Sequence, residues 1–228
     1  MGPNRAHLHF NFNTSKKMLS SSEFRNLSAN TLQGKWGEVA IFTLVYFLVV
    51  GGINLCPTLL NIKTTATDLF TNLLTLALLP MQWGYYVYFL AKKRQEKADL
   101  DYLFIGYKDF GRIFGTIFLQ SIYIFLWSLL FIIPGIIKSL SYAMTPYVLR
   151  DEPDLSYDAA ITRSSQLMGG HKAELFFLYL SFIGWFVLCL LTLGIGFLIL
   201  SPYFHTAQVH FYEELLKEEA ASTEEQEP

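Results

Sequence analysis

Residues 111–149 are GRIFGTIFLQSIYIFLWSLLFIIPGIIKSLSYAMTPYVL. From Gly111 to Ile133 there is no charge after Arg112, and the run is long enough, at 1.5 Å per residue, to cross a hydrocarbon core of about 30 Å. Pro134-Gly135 then turns the chain, and Ile136 to Leu149 return with Lys138 as their only charge. Such helices are apolar nearly all round, whereas a soluble helix keeps one polar face. A membrane barrel would instead alternate over about ten residues. The stretch therefore reads as a transmembrane hairpin.

Outward from it, the same pattern recurs. Glu38 to Leu55, Leu69 to Ala91, Ala173 to Leu193 and Phe197 to Tyr212 are further apolar runs. With Gly111–Ile133 and Ile136–Leu149 they make six transmembrane segments arranged as three hairpins. The whole chain agrees: of 228 residues, 52% are hydrophobic and 16% charged, against about 25% charged in soluble domains. The fold class is all-α, a polytopic helical membrane bundle. The expected organisation is a disordered tail over 1–19, the six-helix domain over 20–212 and an acidic, solvated tail over 213–228, in which the last helix continues briefly.

Lys and Arg are distributed unevenly. The segments before span one, between two and three, between four and five and after six carry five, six, three and one, leaving only Lys63 and Lys138 for the opposite side. The positive-inside rule places both termini and the long loops in the cytoplasm. The first span is not a cleaved signal peptide, since it is long and no A-x-A site follows. Ala6 stands where a myristoylation signal needs Ser or Thr. A start at Met18 would lower the first count to two without reversing the topology.

Two cytoplasmic stretches read as helices lying on the membrane surface. Ser20-x-x-Glu23 is a capping box, followed by Phe24, Leu27 and Leu32 on one side. From Ser156, the residues Ala160, Ile161, Ser164, Leu167 and Met168 fall at helical spacing and end at Gly169-Gly170. Each hairpin opens with glycine beside a basic residue: Gly34-Lys35, Gly111-Arg112 and Gly170-His171-Lys172. The basic loop with Lys92, Lys93, Arg94 and Lys97 is expected to contact anionic headgroups, at about 1 kcal/mol per charge.

The returning helices carry polar stripes at spacings of three and four: Asn72, Thr75, Gln82 and Tyr86; Lys138, Ser141, Tyr142 and Thr145; Ser201, His205, Gln208 and Tyr212. Span three adds Thr116, Gln120, Tyr123 and Trp127. Lipid cannot satisfy these groups, so the stripes should face one another in the bundle interior. Two explanations stand. The seam is glue between helices, or it is a polar path lined by Gln82, Gln120, Lys138, Ser141, His205 and Gln208, with Lys138 and His205 ionisable. Lys138 also has the option of snorkelling to the headgroups.

Catalytic chemistry is hard to place. No Asp or Glu lies well inside a span, His205 and His210 are five apart, and Walker, GxSxG, HExxH and dinucleotide patterns are missing. Cys56 and Cys189 lack CxxC spacing, so neither a disulfide framework nor a metal site is supported. A net charge of -2 gives no basic field for nucleic acid.

Four separated motifs occur in order: Leu32-Gln33-Gly34-Lys35-Trp36-Gly37; Phe131-Ile132-Ile133-Pro134-Gly135-Ile136-Ile137-Lys138-Ser139-Leu140-Ser141-Tyr142; Ala160 to Gly170 with His171-Lys172; and Leu180-Ser181-Phe182-Ile183-Gly184-Trp185. Together, from about Ser20 to Tyr212, the chain resembles the bacterial membrane-protein family catalogued as domain of unknown function 975. The resemblance implies a multi-span protein of the bacterial inner membrane and brings no mechanism. The reading at this point is a non-enzymatic membrane scaffold or partner-binding protein, without cofactor or metal, in contact with membrane lipids and with a membrane protein partner or a second copy of itself. The alternative is a small-solute transporter or channel subunit using the polar seam.

Overall fold

The structure is a computed structural model that describes residues 18–59 and 64–224. The tail before Met18, Lys63 and the residues after Glu224 lie outside the described residues. Eleven α-helices and one 3-10 helix are found among the described residues, and no strand. Four segments are long and apolar enough to cross a membrane: Trp36–Leu55, Thr65–Lys93, Leu100–Leu130 and Lys172–Leu191.

Helix α1 (Ser21–Leu32) starts as its capping box dictates, with the Ser20 backbone N–H donating to Glu23 at 2.7 Å. It buries Phe24, Ser28 and Leu32, while Leu27 of the expected apolar side is partly exposed. Gly34, at φ +77°, turns the chain into α2 (Trp36–Leu59). The second expected span divides into α3 (Thr65–Ala77) and α4 (Leu79–Lys93). Pro80, in the first turn of α4, has no N–H to continue the α3 ladder. The division sorts the residues sharply: α3 buries none, whereas α4 buries Trp83, Tyr85, Val87 to Ala91 and others.

After α4 the basic loop leads into the 3-10 helix Leu100–Asp109, which lies back along α4. Two glycines permit this approach. A Cβ on Gly84 would run into the Tyr102 carbonyl and stand 2.8 Å from that of Leu103, and one on Gly106 would meet the Pro80 backbone. Helix α5 (Phe110–Leu130) and α6 (Ile132–Ser141) form the next hairpin, closed where Gly135 packs against Ser128. The return is interrupted at Tyr142–Met144, and α7 (Thr145–Asp151) completes it against α4, the Trp83 indole N–H donating to the Pro146 carbonyl at 2.8 Å. Expected span four is thus two short helices. At ten residues, α6 alone covers about 15 Å, half a hydrocarbon core.

Helix α8 (Tyr157–Leu167) buries Ala160, Ile161, Ser164 and Leu167, the face its spacing predicts. It packs on α5 and α7. Gly170 at φ +86° leads into α9 (Lys172–Leu180) and α10 (Ile183–Leu191). Leu193 and Gly194, both with positive φ, then turn the chain into α11 (Phe197–Glu224). Helix α11 does not fray soon after Tyr212. It runs on to Glu224 because the acidic stretch is engaged: Leu215 is buried, Glu213 pairs with Arg94, and Glu219 with Arg163.

Two regions result. Around α4, α7 and α11 large side chains are fully buried, among them Tyr85, Tyr88, Phe89, Tyr147, Phe211 and Tyr212. At the α5–α6 turn and the α10–α11 turn the side chains are almost all apolar and exposed: Phe131, Ile132 and Ile133 are 70–76% exposed and Leu193 is 94%.

Candidate functional site

The expected polar seam is where function would reside, and the structure divides it into two groups. The first lies between α2, α4, α9 and α11. The Tyr85 hydroxyl exchanges hydrogen bonds with Ser201 at 2.7 Å and with Thr43 at 3.2 Å. Gln82 donates its amide to the Tyr86 hydroxyl at 2.8 Å, and Gln208 donates to the Tyr179 hydroxyl. His205 Nδ1 stands 2.9 Å from Gln208 Oε1. That oxygen can only accept, so Nδ1 carries the proton. The His205 ring is boxed by Tyr85, Tyr86, Phe89 and Phe204, with centroids 4.9–5.7 Å away.

The second group lies between α5, α6 and α8. Gln120 donates to the Tyr142 carbonyl at 3.2 Å. The Lys138 ammonium sits 5.0 Å from the centroid of the Trp127 ring and 5.7 Å from that of Tyr142, a cation–π geometry. Tyr123 donates to Asp158 of α8 at 3.1 Å. Lys138, Tyr123, Asp158 and Gln166 line one pocket of about 250 Å³. The distribution of basic residues sets Lys138 apart from the long loops, whereas in the structure it shares this pocket with residues of α8. The cause is the shortness of α6, which leaves Lys138 one turn from the break where α8 packs.

Ser141 stands between the groups. Its hydroxyl donates to the Ile137 carbonyl at 2.9 Å, and its carbonyl accepts from Ser164. Among the described residues no hydrogen bond joins the two groups. The six residues expected to line one path therefore do not come together: Gln82, His205 and Gln208 belong to the first group and Gln120 and Lys138 to the second. Asn72 faces outward, exposed, and Thr75 turns to the Thr71 carbonyl of its own helix. His210, five residues from His205, faces away from it and bonds Thr31 of α1 at 2.8 Å.

Near the end of α4 the charges close on one another. Arg94 grips Asp151 with two bonds of 2.7 Å and reaches Glu213 at 2.8 Å, while Tyr212 donates to Asp151 at 3.0 Å. These bonds, that to Asp151 foremost, hold the Arg94 guanidinium charged more firmly than usual. Arg163 clasps Glu219 and Glu152, and its bonds hold the Glu219 carboxyl below the usual carboxylate range. Lys92 pairs with Glu38, and Arg150 with Glu96. Of the four basic residues expected at headgroups, Lys92 and Arg94 are thus engaged within the protein, and Lys97 is exposed. The internal pairing arises because the acidic stretch returns along α11 beside the basic loop, a meeting of residues more than 100 apart in sequence.

Sequence reading missed Tyr85, whose ring stands against that of His205, Tyr179, whose hydroxyl accepts from Gln208, and Tyr147, buried against Tyr212. Tyr179 lies on a segment without a polar stripe, and Tyr85 and Tyr147 lie beside the stripes of their own segments. A tyrosine set in an apolar run, whose hydroxyl needs a partner when buried, was the available signal.

No curated protein and no solved structure matches the chain. The family described as protein of unknown function (DUF975) matches residues 18–140 and 130–219, most of the sequence, and the chain belongs to that family.

Proposed function

We propose that this chain is a multi-span protein of the bacterial cytoplasmic membrane that acts without catalysis, as a membrane-embedded scaffold or partner-binding protein. Its three hairpins are α2 with α3–α4, α5 with α6–α7, and α9–α10 with α11, both termini facing the cytoplasm. The four apolar segments of membrane length support the location, and the near confinement of Lys and Arg to the loops of one side supports the orientation.

One observation carries the scaffold reading. Amides and hydroxyls of the seam are used on one another or on the backbone, Gln82 on Tyr86, Gln208 on Tyr179 and His205, Ser201 and Thr43 on Tyr85, Gln120 on a backbone carbonyl, with the buried Thr145 hydroxyl as an exception. A solute path needs groups left available to the solute. Of the seam's pairs, Gln208 with Tyr179, Tyr85 with Ser201 and Thr43, and Gln120 with the Tyr142 carbonyl pair across helices and act as fasteners, worth about 0.6–2 kcal/mol each in a bilayer, whereas Gln82–Tyr86 and His205–Gln208 pair within α4 and within α11. A scaffold then presents its outer faces, and the partner is a membrane protein or a second copy of this chain.

Crosslinking in native membranes should recover a stoichiometric partner, and a chain that is always alone contradicts the reading. Proteoliposomes carrying the wild type should show no solute flux above empty vesicles. Flux that is lost in Lys138→Ala or His205→Ala while the variant stays folded would establish the transport alternative instead.

A further inference from the structure

Outside the seam, the chain has an apolar groove of about 420 Å³ between the α1–α2 corner and the α10–α11 hairpin, lined by Ala29, Trp36, Trp185, Leu188, Ile199 and Tyr203 among others. Its volume lies in the range of small-molecule sites. Three features point to an occupant. First, the groove opens on the surface a membrane protein turns to lipid, since Trp185, Leu188 and Ile199 are each half or more exposed. Second, one end is ringed by aromatics, with the Trp36 and Trp185 ring centroids each 6.4 Å from that of Tyr203, the residue types that favour the headgroup level. Third, Arg25, one helical turn before the groove residue Ala29 on α1, lies beside Tyr203 at that same end. Arg25 is half-buried and has no ion pair among the described residues, unlike Arg94, Arg112, Arg150 and Arg163.

We propose that this groove holds one acyl chain of an anionic phospholipid, with the headgroup phosphate at Arg25. The apolar walls take the chain, the aromatic ring marks the interface, and the guanidinium supplies a charge complementary to a phosphate diester and its anionic headgroup. The inference rests on membrane embedding but not on the scaffold role.

The test uses the full chain in phosphatidylcholine vesicles containing a small fraction of phosphatidylglycerol, with bromine on the acyl chains of one lipid or the other. Tryptophan quenching is read per mole of brominated lipid, and Trp36 and Trp185 report the groove. The wild type should be quenched about fivefold more effectively by the phosphatidylglycerol, the size of one cation–headgroup contact. Arg25→Gln should bring the two lipids to parity. Ala29→Phe, which fills the groove, should remove the excess with Arg25 intact, and soluble glycerol phosphate should not compete. Equal quenching by both lipids in the wild type overturns the proposal, as does a preference that survives Arg25→Gln. Competition by glycerol phosphate overturns the acyl-chain assignment. If Ala29→Phe fails to fold by circular dichroism, Arg25→Gln and the competitor still decide. Quenching by neither lipid overturns the membrane embedding along with the proposal.

Discussion

The packed region around α4, α7 and α11 is less apolar than the bare turns of α5–α6 and α10–α11, yet segments of both are apolar enough to pass for membrane spans, and their surroundings are opposite. Leu90 is fully buried and Leu191 is 76% exposed, yet both lie in runs that read as membrane spans. What separates them is the company they keep. The packed region mixes tyrosine, histidine and amides with its aliphatics, and those groups find one another. The turns are Leu, Ile, Phe and Gly almost alone, and the few polar side chains beside them, Ser128 and Thr192, bond only the nearby backbone. Hydropathy thus reports that a segment is apolar, and polar interruptions report whether protein or lipid surrounds it.

The comparison is broken most directly by truncating one leucine in each region. Leu90→Ala should cost about 2–5 kcal/mol, a cavity in a filled core, and Leu191→Ala under about 1 kcal/mol, since lipid fills the space. Thermal unfolding in detergent micelles measures both. Equal losses would erase the distinction between the regions. Glycines give the next largest contrast. Gly84→Ala forces a methyl group into the backbone of the 3-10 helix and should cost about 1–3 kcal/mol. Gly51→Ala in α2, where a Cβ meets nothing within 4 Å, should gain about 0.5–1 kcal/mol.

Gln208→Leu removes the donor to Tyr179 and the acceptor for His205, and should cost about 0.6–2 kcal/mol in the same assay. A neutral result would mean that the first polar group contributes no fastening. The smallest effect sits at the charged end. The Glu219 carboxyl is held below the ordinary carboxylate range by Arg163, so its contribution is complete above the unfolded-state value and is lost as pH falls through the folded one. Both side chains are partly exposed, which limits the effect to a few tenths of a kcal/mol. Glu219→Gln should flatten that acid-side slope of the melting temperature.

Much of this was legible in residues. The capping box at Ser20 and Glu23, the buried face of α8 and the turns at Gly34 and Gly170 follow from local chemistry, and local chemistry is what a sequence displays. The interruption of span two was also visible, as Pro80, but a hydropathy window averages over it. Less legible were the meetings of distant segments. Arg94 and Glu213 are 119 residues apart, and nothing near either names the other, so the loop read as headgroup contact and the tail as solvated. Asp158 and Lys138 share a pocket for the same reason. The single polar seam became two groups because stripes on different helices specify faces without specifying which faces meet.

The central claim is that the polar groups among α2, α4, α9 and α11 fasten helices and are closed to water. Placing a cysteine at Gln208, in a chain with Cys56 and Cys189 replaced by serine, and treating sealed membranes with a membrane-impermeant maleimide from each side tests it. No labelling is expected at position 208 from either side, while a cysteine at exposed Lys97 labels fully. Labelling at position 208 in the folded protein would mean a water-filled path and would contradict the account.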